Sequence, residues 1–236
     1  MAKVTGEGKF PKRIGDFVLY PLYGELIIRA KSGFTTEALK TSSKYDLSRK
    51  NASEFGKVSS MCKQLRVALK DVLPKKNNLL VVNSLTKKMR QVLVSDAISS
   101  RGERTLATAL ASLKGRQQLV GYHFNPVGMQ QLDYKLEKKQ VALSLTGLNF
   151  PDGANCVGFR ISALEFDFNT AANQLACGSW LFYRSTGLPK TLVATEPELT
   201  FKSGVLFSLL EIQFYDAIEG SYIPLVDDSS KMIVLL

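Results

Sequence analysis

The sequence predicts an α+β protein, in which an N-terminal β-hairpin and a small helical bundle precede an antiparallel, immunoglobulin-like β-sandwich. Apolar residues recur mostly with a helical period in residues 1–116 and mostly with a period of two in residues 117–236. The charge changes at the same place: the first part has 23 Lys and Arg against 9 Asp and Glu, and the second has 8 against 12. We therefore predict two domains, 1–116 and 117–236, with net charges of +14 and −4.

The N-terminal segment is predicted to be a basic arm, residues 1–13, followed by the hairpin. Two runs of β-branched and aromatic residues, 15–20 and 25–31, flank a four-residue turn that contains Pro21 and Gly24. A lone hairpin is marginally stable in water, so we expect it to pack against another surface. Residues 32–45 are rich in Ser, Thr and Lys and are predicted to form a loop.

Three helices are predicted next, over 47–73, 78–97 and 103–113. Asp46 is the expected N-cap of the first helix, Pro74 ends it, and Gly115 follows the third. The first two helices each carry an apolar stripe and are expected to form an antiparallel pair. The stripe residues are Phe55, Val58, Cys62, Leu65, Leu69 and Val72 in the first helix and Val82, Leu85, Met89 and Val92 in the second.

Short strands are predicted through the rest of the chain. Leu164, Phe166 and Phe168 alternate with Glu165 and Asp167, which is typical of a half-buried strand. No Cys–Trp–Cys pattern is present, so a true immunoglobulin domain is not predicted. The predicted strands are 119–124, 140–145, 156–161, 163–168, 178–183, 209–215, 222–226 and 232–236.

The composition excludes several classes of protein. With 236 residues, 45% hydrophobic and 22% charged, the chain is neither disordered nor collagen-like, and it is long enough for one large core or two small ones. It lacks the run of about 18 apolar residues that a membrane-spanning helix needs, and its N-terminus lacks the apolar part of a signal peptide. With three widely spaced cysteines, these features predict a cytoplasmic protein with free thiols and no membrane contact.

The sequence contains few groups that point to catalysis. His123 is the single histidine, the cysteines lack metal-binding spacing, and the glycine motifs of phosphate-binding loops are missing. The carboxylate pair Glu165 and Asp167, and the neighbours Asp227 and Asp228, fit either a cation site or a solvated strand and turn. We therefore predict a protein that is not an enzyme, with no catalytic residues, cofactor, metal or small-molecule substrate.

Basic residues in 1–116 are the clearest functional signal. Such side chains bind phosphates, and they also attract the acidic part of a second copy of the chain. A merely solvated helical surface is the third interpretation. The candidate contacts are Lys63, Arg66, Lys70, Lys87, Lys88, Arg90, Arg101, Arg104, Lys114 and Arg116.

A sequence pattern that covers most of the chain resembles that of a known family. Its parts are the hairpin, the helix start R-x-N-x-x-E-F-G at 49–56, the Ser-Arg-Gly turn at 100–102 and the blocks 211–215 and 220–225. In these features the chain resembles a family of uncharacterised bacterial proteins of about this length. That family has no assigned activity, so the resemblance implies a shared layout and no function.

The helix-start motif supplies three candidate clamp residues. Asn51 suits a helix start, and Glu54 can pair with a basic neighbour such as Lys50 or Lys57. Arg49 can tie the helix start to the hairpin or to a neighbouring molecule, and an intramolecular clamp is the favoured interpretation.

The leading hypothesis is a structural protein that self-assembles into a filament, tube or phage-like particle through its N-terminal arm and hairpin and its oppositely charged halves. The alternative is a cytoplasmic nucleic-acid-binding protein that uses residues 1–116. A carbohydrate-binding module or an enzyme is a third class. Sugar binding needs exposed aromatic side chains, and Trp180 and Tyr183 are predicted to lie on opposite faces of a strand.

Overall fold

The computed structural model describes residues 2–4, 10–30, 35–74, 78–125, 127, 132–137, 139–200 and 204–236. It is a mixed fold of helices and several antiparallel sheets, with a curled half-barrel. The α+β class is therefore confirmed, and the immunoglobulin-like sandwich is not. Within the described ranges, no helix has the length and apolar character needed to cross a membrane. The chain divides into two units, residues 1–49 and 50–236.

The predicted hairpin is present and forms part of a four-stranded antiparallel sheet in the first unit, with the order β1-β4-β3-β2. Its turn is shorter than predicted, because Pro21 already pairs with Leu26, and Tyr23 and Gly24 alone connect the strands. The strands are β1 (Ala2–Val4), β2 (Arg13–Ile14), β3 (Phe17–Leu22) and β4 (Glu25–Ala30).

A short helix, α1 (Thr36–Thr41), and a 3-10 turn (Ser43–Tyr45) lie within the segment predicted to be a loop. The Thr35 hydroxyl accepts a hydrogen bond from Ala38 N at 3.1 Å and so caps α1. Propensity alone misses this helix because it is only six residues long.

Helix α2 (Asp46–Ala68) and helix α3 (Asn78–Leu93) correspond to the first two predicted helices. Most of the predicted apolar stripe of α2 is buried, but Phe55 is 47% exposed and the neighbouring Glu54 is buried in its place. In α3, Val81 rather than Val82 takes the first buried position. Both helices end earlier than predicted, and α2 is followed by hydrogen-bonded turns up to Leu73.

The third predicted helix, 103–113, corresponds to the shorter α4 (Leu106–Ala111), and a further short helix that was not predicted, α5 (Leu113–Gln117), follows it. Ser112 lies between them, and its hydroxyl accepts a hydrogen bond from Gly115 N at 3.1 Å. Gly115 is therefore inside α5 and does not follow the end of a helix. A Cβ atom there would lie 2.0 Å from the Ala109 carbonyl oxygen, so close backbone packing requires this glycine.

The strands described between residues 134 and 235 form two antiparallel sheets. The three-stranded sheet has the order β10-β6-β5, and β7 and β11 lie at the centre of the six-stranded sheet. The strands are β5 (Tyr134–Glu137), β6 (Gln140–Ser144), β7 (Cys156–Phe166), β8 (Asn173–Cys177), β9 (Leu181–Arg184), β10 (Thr191–Thr195), β11 (Val205–Ile218), β12 (Ser221–Pro224) and β13 (Lys231–Leu235).

The two central strands are unusually long and each carries two short strands on its outer edge. β8 and β9 both pair with β7, and β12 and β13 both pair with β11. The predicted strands 156–161 and 163–168 are therefore one strand. The predicted strand 119–124 is an irregular segment beside β13. His123 lies opposite Val234, and backbone hydrogen bonds link Gly121, Tyr122 and Phe124 to this strand.

Two hydrophobic cores lie on opposite faces of β7. Val157, Phe159 and Ile161 pack with side chains of the three-stranded sheet, whereas Leu164 and Phe166 pack with the helices. Successive residues of a strand point to opposite faces, so β7 supplies both cores. Residue 116, near which the sequence predicts a domain boundary, lies within the second unit, residues 50–236.

Candidate functional site

A small pocket lies where the N-terminal part of α2, the end of α3 and the turn at residues 100–104 meet. Its volume is about 200 Å³. Five of its lining residues are candidates from the sequence, taken from both the basic set and the clamp set, and the fold brings these two sets together. The lining residues are Asn51, Glu54, Arg90, Leu93, Val94, Arg101 and Arg104.

Glu54 fixes the turn that forms one wall of the pocket. Its Oε1 atom accepts a hydrogen bond from Gly102 N at 2.7 Å. Lys57, one of the two neighbours that the sequence offers as a partner of Glu54, instead donates to the Gly102 carbonyl at 3.3 Å. The Glu54 carboxylate thus binds a backbone amide that lies 48 residues away in the sequence.

Gly102 is required by the shape of this turn. Its φ is +102°, in the region that favours glycine. A Cβ atom at this position would also lie 2.8 Å from Cγ of Lys50. The turn therefore lies directly against α2.

Asn51 holds one arginine of the pocket in place. Its Oδ1 atom accepts hydrogen bonds from Arg101 Nε at 3.1 Å and Nη2 at 2.9 Å. Asn51 lies inside α2 rather than at its start, so its side chain orients a guanidinium and does not cap the helix.

The other two arginines approach from α3 and from the turn. The Arg90 guanidinium lies over the Phe55 ring, 5.4 Å from its centroid. Arg104 Nε is buried 3.9 Å from Glu54 Oε1, and it has no hydrogen-bond partner among the described residues. This ion pair positions Arg104 at the wall of the pocket.

A larger groove of about 590 Å³ runs beside the pocket between α2 and α3. It shares Arg90 and Val94 with the pocket, and Lys87, Phe55 and Val82 also line it. This groove combines positive charge with apolar surface.

The remaining basic candidates lie elsewhere. Lys63, Arg66 and Lys70 line a separate groove of about 440 Å³ near Pro74. Arg116 lines another pocket beside β7. Lys88 is a half-buried residue of α3. Lys114 is exposed on α5.

Arg49 acts within the first unit. Its Nη1 atom donates to the carbonyls of Leu39 at 2.8 Å and Ser42 at 2.9 Å, and Nη2 lies 3.5 Å from Asp46 Oδ1. It therefore satisfies carbonyl groups at the end of α1. This is an intramolecular clamp, although its partner is α1 and not the hairpin.

The predicted carboxylate pair serves two different turns. Glu165 accepts a hydrogen bond from Gly204 N at 2.8 Å, and Asp167 accepts bonds from Asn169 N and the Thr170 hydroxyl. Across the described part of the chain, no group of three or more His, Cys, Asp or Glu side chains is placed to hold a metal ion.

The single histidine and a buried cysteine lie outside the pocket. Burial lowers the pKa of His123 and raises the pKa of Cys62 to about 11. Both side chains are thus neutral near pH 7, which suits packing rather than reaction.

An aromatic cluster on the six-stranded sheet was not predicted from the sequence. Trp180, Phe182 and Tyr222 share a face, and the Phe182 and Tyr222 rings stack 4.1 Å apart. Trp180 and Phe182 are two residues apart, so the sequence alone could have placed them on one face. Tyr222 lies on β12, and only the pairing of the strands brings it beside them. Tyr183 packs in a core on the opposite face, as predicted.

No family model, curated protein or solved structure matches this chain. Proposals about its function therefore rest on the geometry of its own residues.

Proposed function

We propose that this protein is a non-enzymatic structural protein that self-assembles through residues 1–49. The observation that carries the proposal is the apolar face of the N-terminal sheet. Only Leu19 and Ile27 are buried hydrophobic residues in the described part of this unit. Small sheets gain stability when an apolar face is covered, so this sheet favours a partner.

Strand pairing defines the apolar face. Ile14 lies opposite Phe17, and Leu19 lies opposite Ile28. Residues opposite each other in a sheet share a face, so these four side chains form one apolar surface, which we call the N-terminal apolar face. Leu19 is buried, and Ile14 and Phe17 are the most exposed part of this face. Ile14 is 50% exposed and Phe17 is 47% exposed.

A second copy of the chain is the partner that the charge distribution supports. Residues 1–116 carry +14 and residues 117–236 carry −4, which favours contact between the basic part of one copy and the acidic part of another. Head-to-tail contacts that do not close into a ring continue into a filament or tube.

Phe17→Lys tests this proposal, with Leu22→Lys as its matched control. Both residues lie on β3 with similar exposure, 47% and 42%, but register places Leu22 on the opposite face. We expect wild type and Leu22→Lys to form multimers in light scattering after size-exclusion chromatography, and Phe17→Lys to lose them. A wild-type monomer at low and high salt, or equal losses in both variants, would contradict the proposal.

Nucleic-acid binding is the second candidate function. Nucleic-acid binding is favoured because one pocket is lined by Arg90, Arg101 and Arg104, and the groove beside it is lined by Lys87. Arginine forks match the geometry of phosphate oxygens.

Salt dependence tests this second candidate. If the pocket neutralises one phosphate, affinity for a DNA duplex should fall about 3.5-fold between about 50 and 200 mM salt, from a slope of about −0.9 per phosphate. Fluorescence anisotropy with labelled duplex measures this slope. No binding at about 50 mM salt would eliminate this function.

A further inference from the structure

We propose that the pocket lined by Arg90, Arg101 and Arg104 binds a phosphate group. This inference goes beyond self-assembly and does not depend on it. If the protein binds nucleic acid, this pocket is the site that we expect to hold a phosphate of the backbone. The same pocket would also accept other ligands that carry an accessible phosphate.

The charge of the pocket matches such a group. Three guanidinium groups and the Glu54 carboxylate give it a formal charge of +2. The single carboxylate balances only one of the three guanidinium charges, so the pocket stays positive. A phosphate monoester carries about −1.5 to −2 at pH 7.

The donors are held in position before a ligand arrives. Asn51 orients Arg101 through two hydrogen bonds, and the Phe55 ring supports Arg90. Arg104 lines the same pocket, and its Nε atom lies 3.9 Å from Glu54 Oε1, so this ion pair holds the side chain in place. Preorganised donors lose less entropy when they bind an oxyanion.

The size of the pocket selects a small group. The pocket has a volume of about 200 Å³. That is below the range of about 300–1,000 Å³ typical of drug-sized ligands. The adjoining groove of about 590 Å³ offers room for the organic part of a phosphate-bearing ligand, because Arg90 lines both spaces.

Calorimetric titration of the full chain with inorganic phosphate at constant ionic strength tests the site. We expect saturable binding by wild type, weakened by about tenfold or more in Arg104→Gln and in Arg101→Gln, because each removes a charge-assisted hydrogen bond. Lys63→Gln is the matched control, since Lys63 lies on α2 but lines a different groove. This variant should bind phosphate as wild type does.

Two outcomes would overturn the proposal: no saturable phosphate binding by wild type, or the same weakening in Lys63→Gln. Arg101 is exposed, so its variant keeps the test valid if Arg104→Gln fails to fold. Displacement of bound phosphate by a mononucleotide or by a single-stranded oligonucleotide would support the site. Stronger displacement by the mononucleotide would indicate a small ligand, and stronger displacement by the oligonucleotide would indicate a nucleic acid. Multimer mass, measured in parallel, reports separately on self-assembly.

Discussion

Asp96 is a buried carboxylate that organises the approach to the candidate pocket. Its Oδ1 atom accepts hydrogen bonds from Ile98 N and Ser99 N, and Oδ2 accepts one from Thr105 N, at 2.9–3.1 Å. Burial favours the neutral form, but these hydrogen bonds outweigh it and lower the pKa of Asp96 from 3.8 to about 2. The ionised side chain thus ties the end of the α3 turn to the start of α4.

This network predicts a specific acid sensitivity. Because the pKa of Asp96 is lower in the folded protein than in the unfolded chain, its stabilising effect is present above about pH 4 and is lost as the pH falls towards about 2. Asp96→Asn should lower stability by about 1–3 kcal/mol at neutral pH and reduce the stability lost between pH 4 and 2. Urea unfolding across this pH range measures both effects. An unchanged pH dependence in the variant would show that Asp96 is not the responsible group.

Single-residue roles in the pocket depend on contacts far apart in the sequence. The sequence places Glu54 beside Lys50 and Lys57, and local spacing favours those neighbours. The hydrogen bond that organises the pocket joins Glu54 to Gly102, and Asn51 similarly meets Arg101. Residue types and charges were therefore predictable, but their convergence required the tertiary fold.

At the level of elements, regular hydrophobic periods were good predictors. The stripe through Val58, Cys62 and Leu65 is buried as expected, because a helical period identifies a packed face without tertiary information. β5, β8 and β10 were not predicted, since they are only four or five residues long and contain at most one buried residue each. The break between α4 and α5 also escaped prediction, because a serine cap within an otherwise helical stretch creates it.

Two helical glycines should respond to alanine in opposite directions. In Gly115→Ala, the new Cβ would lie 2.0 Å from the Ala109 carbonyl oxygen, so we expect a loss of about 1–3 kcal/mol or more. A Cβ atom added at Gly56 would meet no neighbouring group within 4 Å, so Gly56→Ala in α2 should stabilise by about 0.5–1 kcal/mol. Thermal and urea unfolding of both variants compares them. A stable Gly115→Ala protein would contradict the close packing of α4 and α5.

For the whole molecule, two physical forces support two kinds of association. The N-terminal apolar face favours contacts that salt does not weaken. The positive charge of residues 1–116 favours contacts that salt screens, with phosphates or with the acidic part of another copy. Multimers that persist at high salt would therefore identify the apolar face as the main source of self-assembly.

Because β7 contributes side chains to two cores, its sequence tolerates few insertions or deletions. After a one-residue insertion in the middle of β7, either Val157 and Phe159 or Leu164 and Phe166 would turn away from their core, because each step reverses the face on which a side chain lies. Both packing arrangements therefore depend on one alignment. Length variation should be confined to the connecting loops, and the helices and the sheet beneath them should change together or not at all.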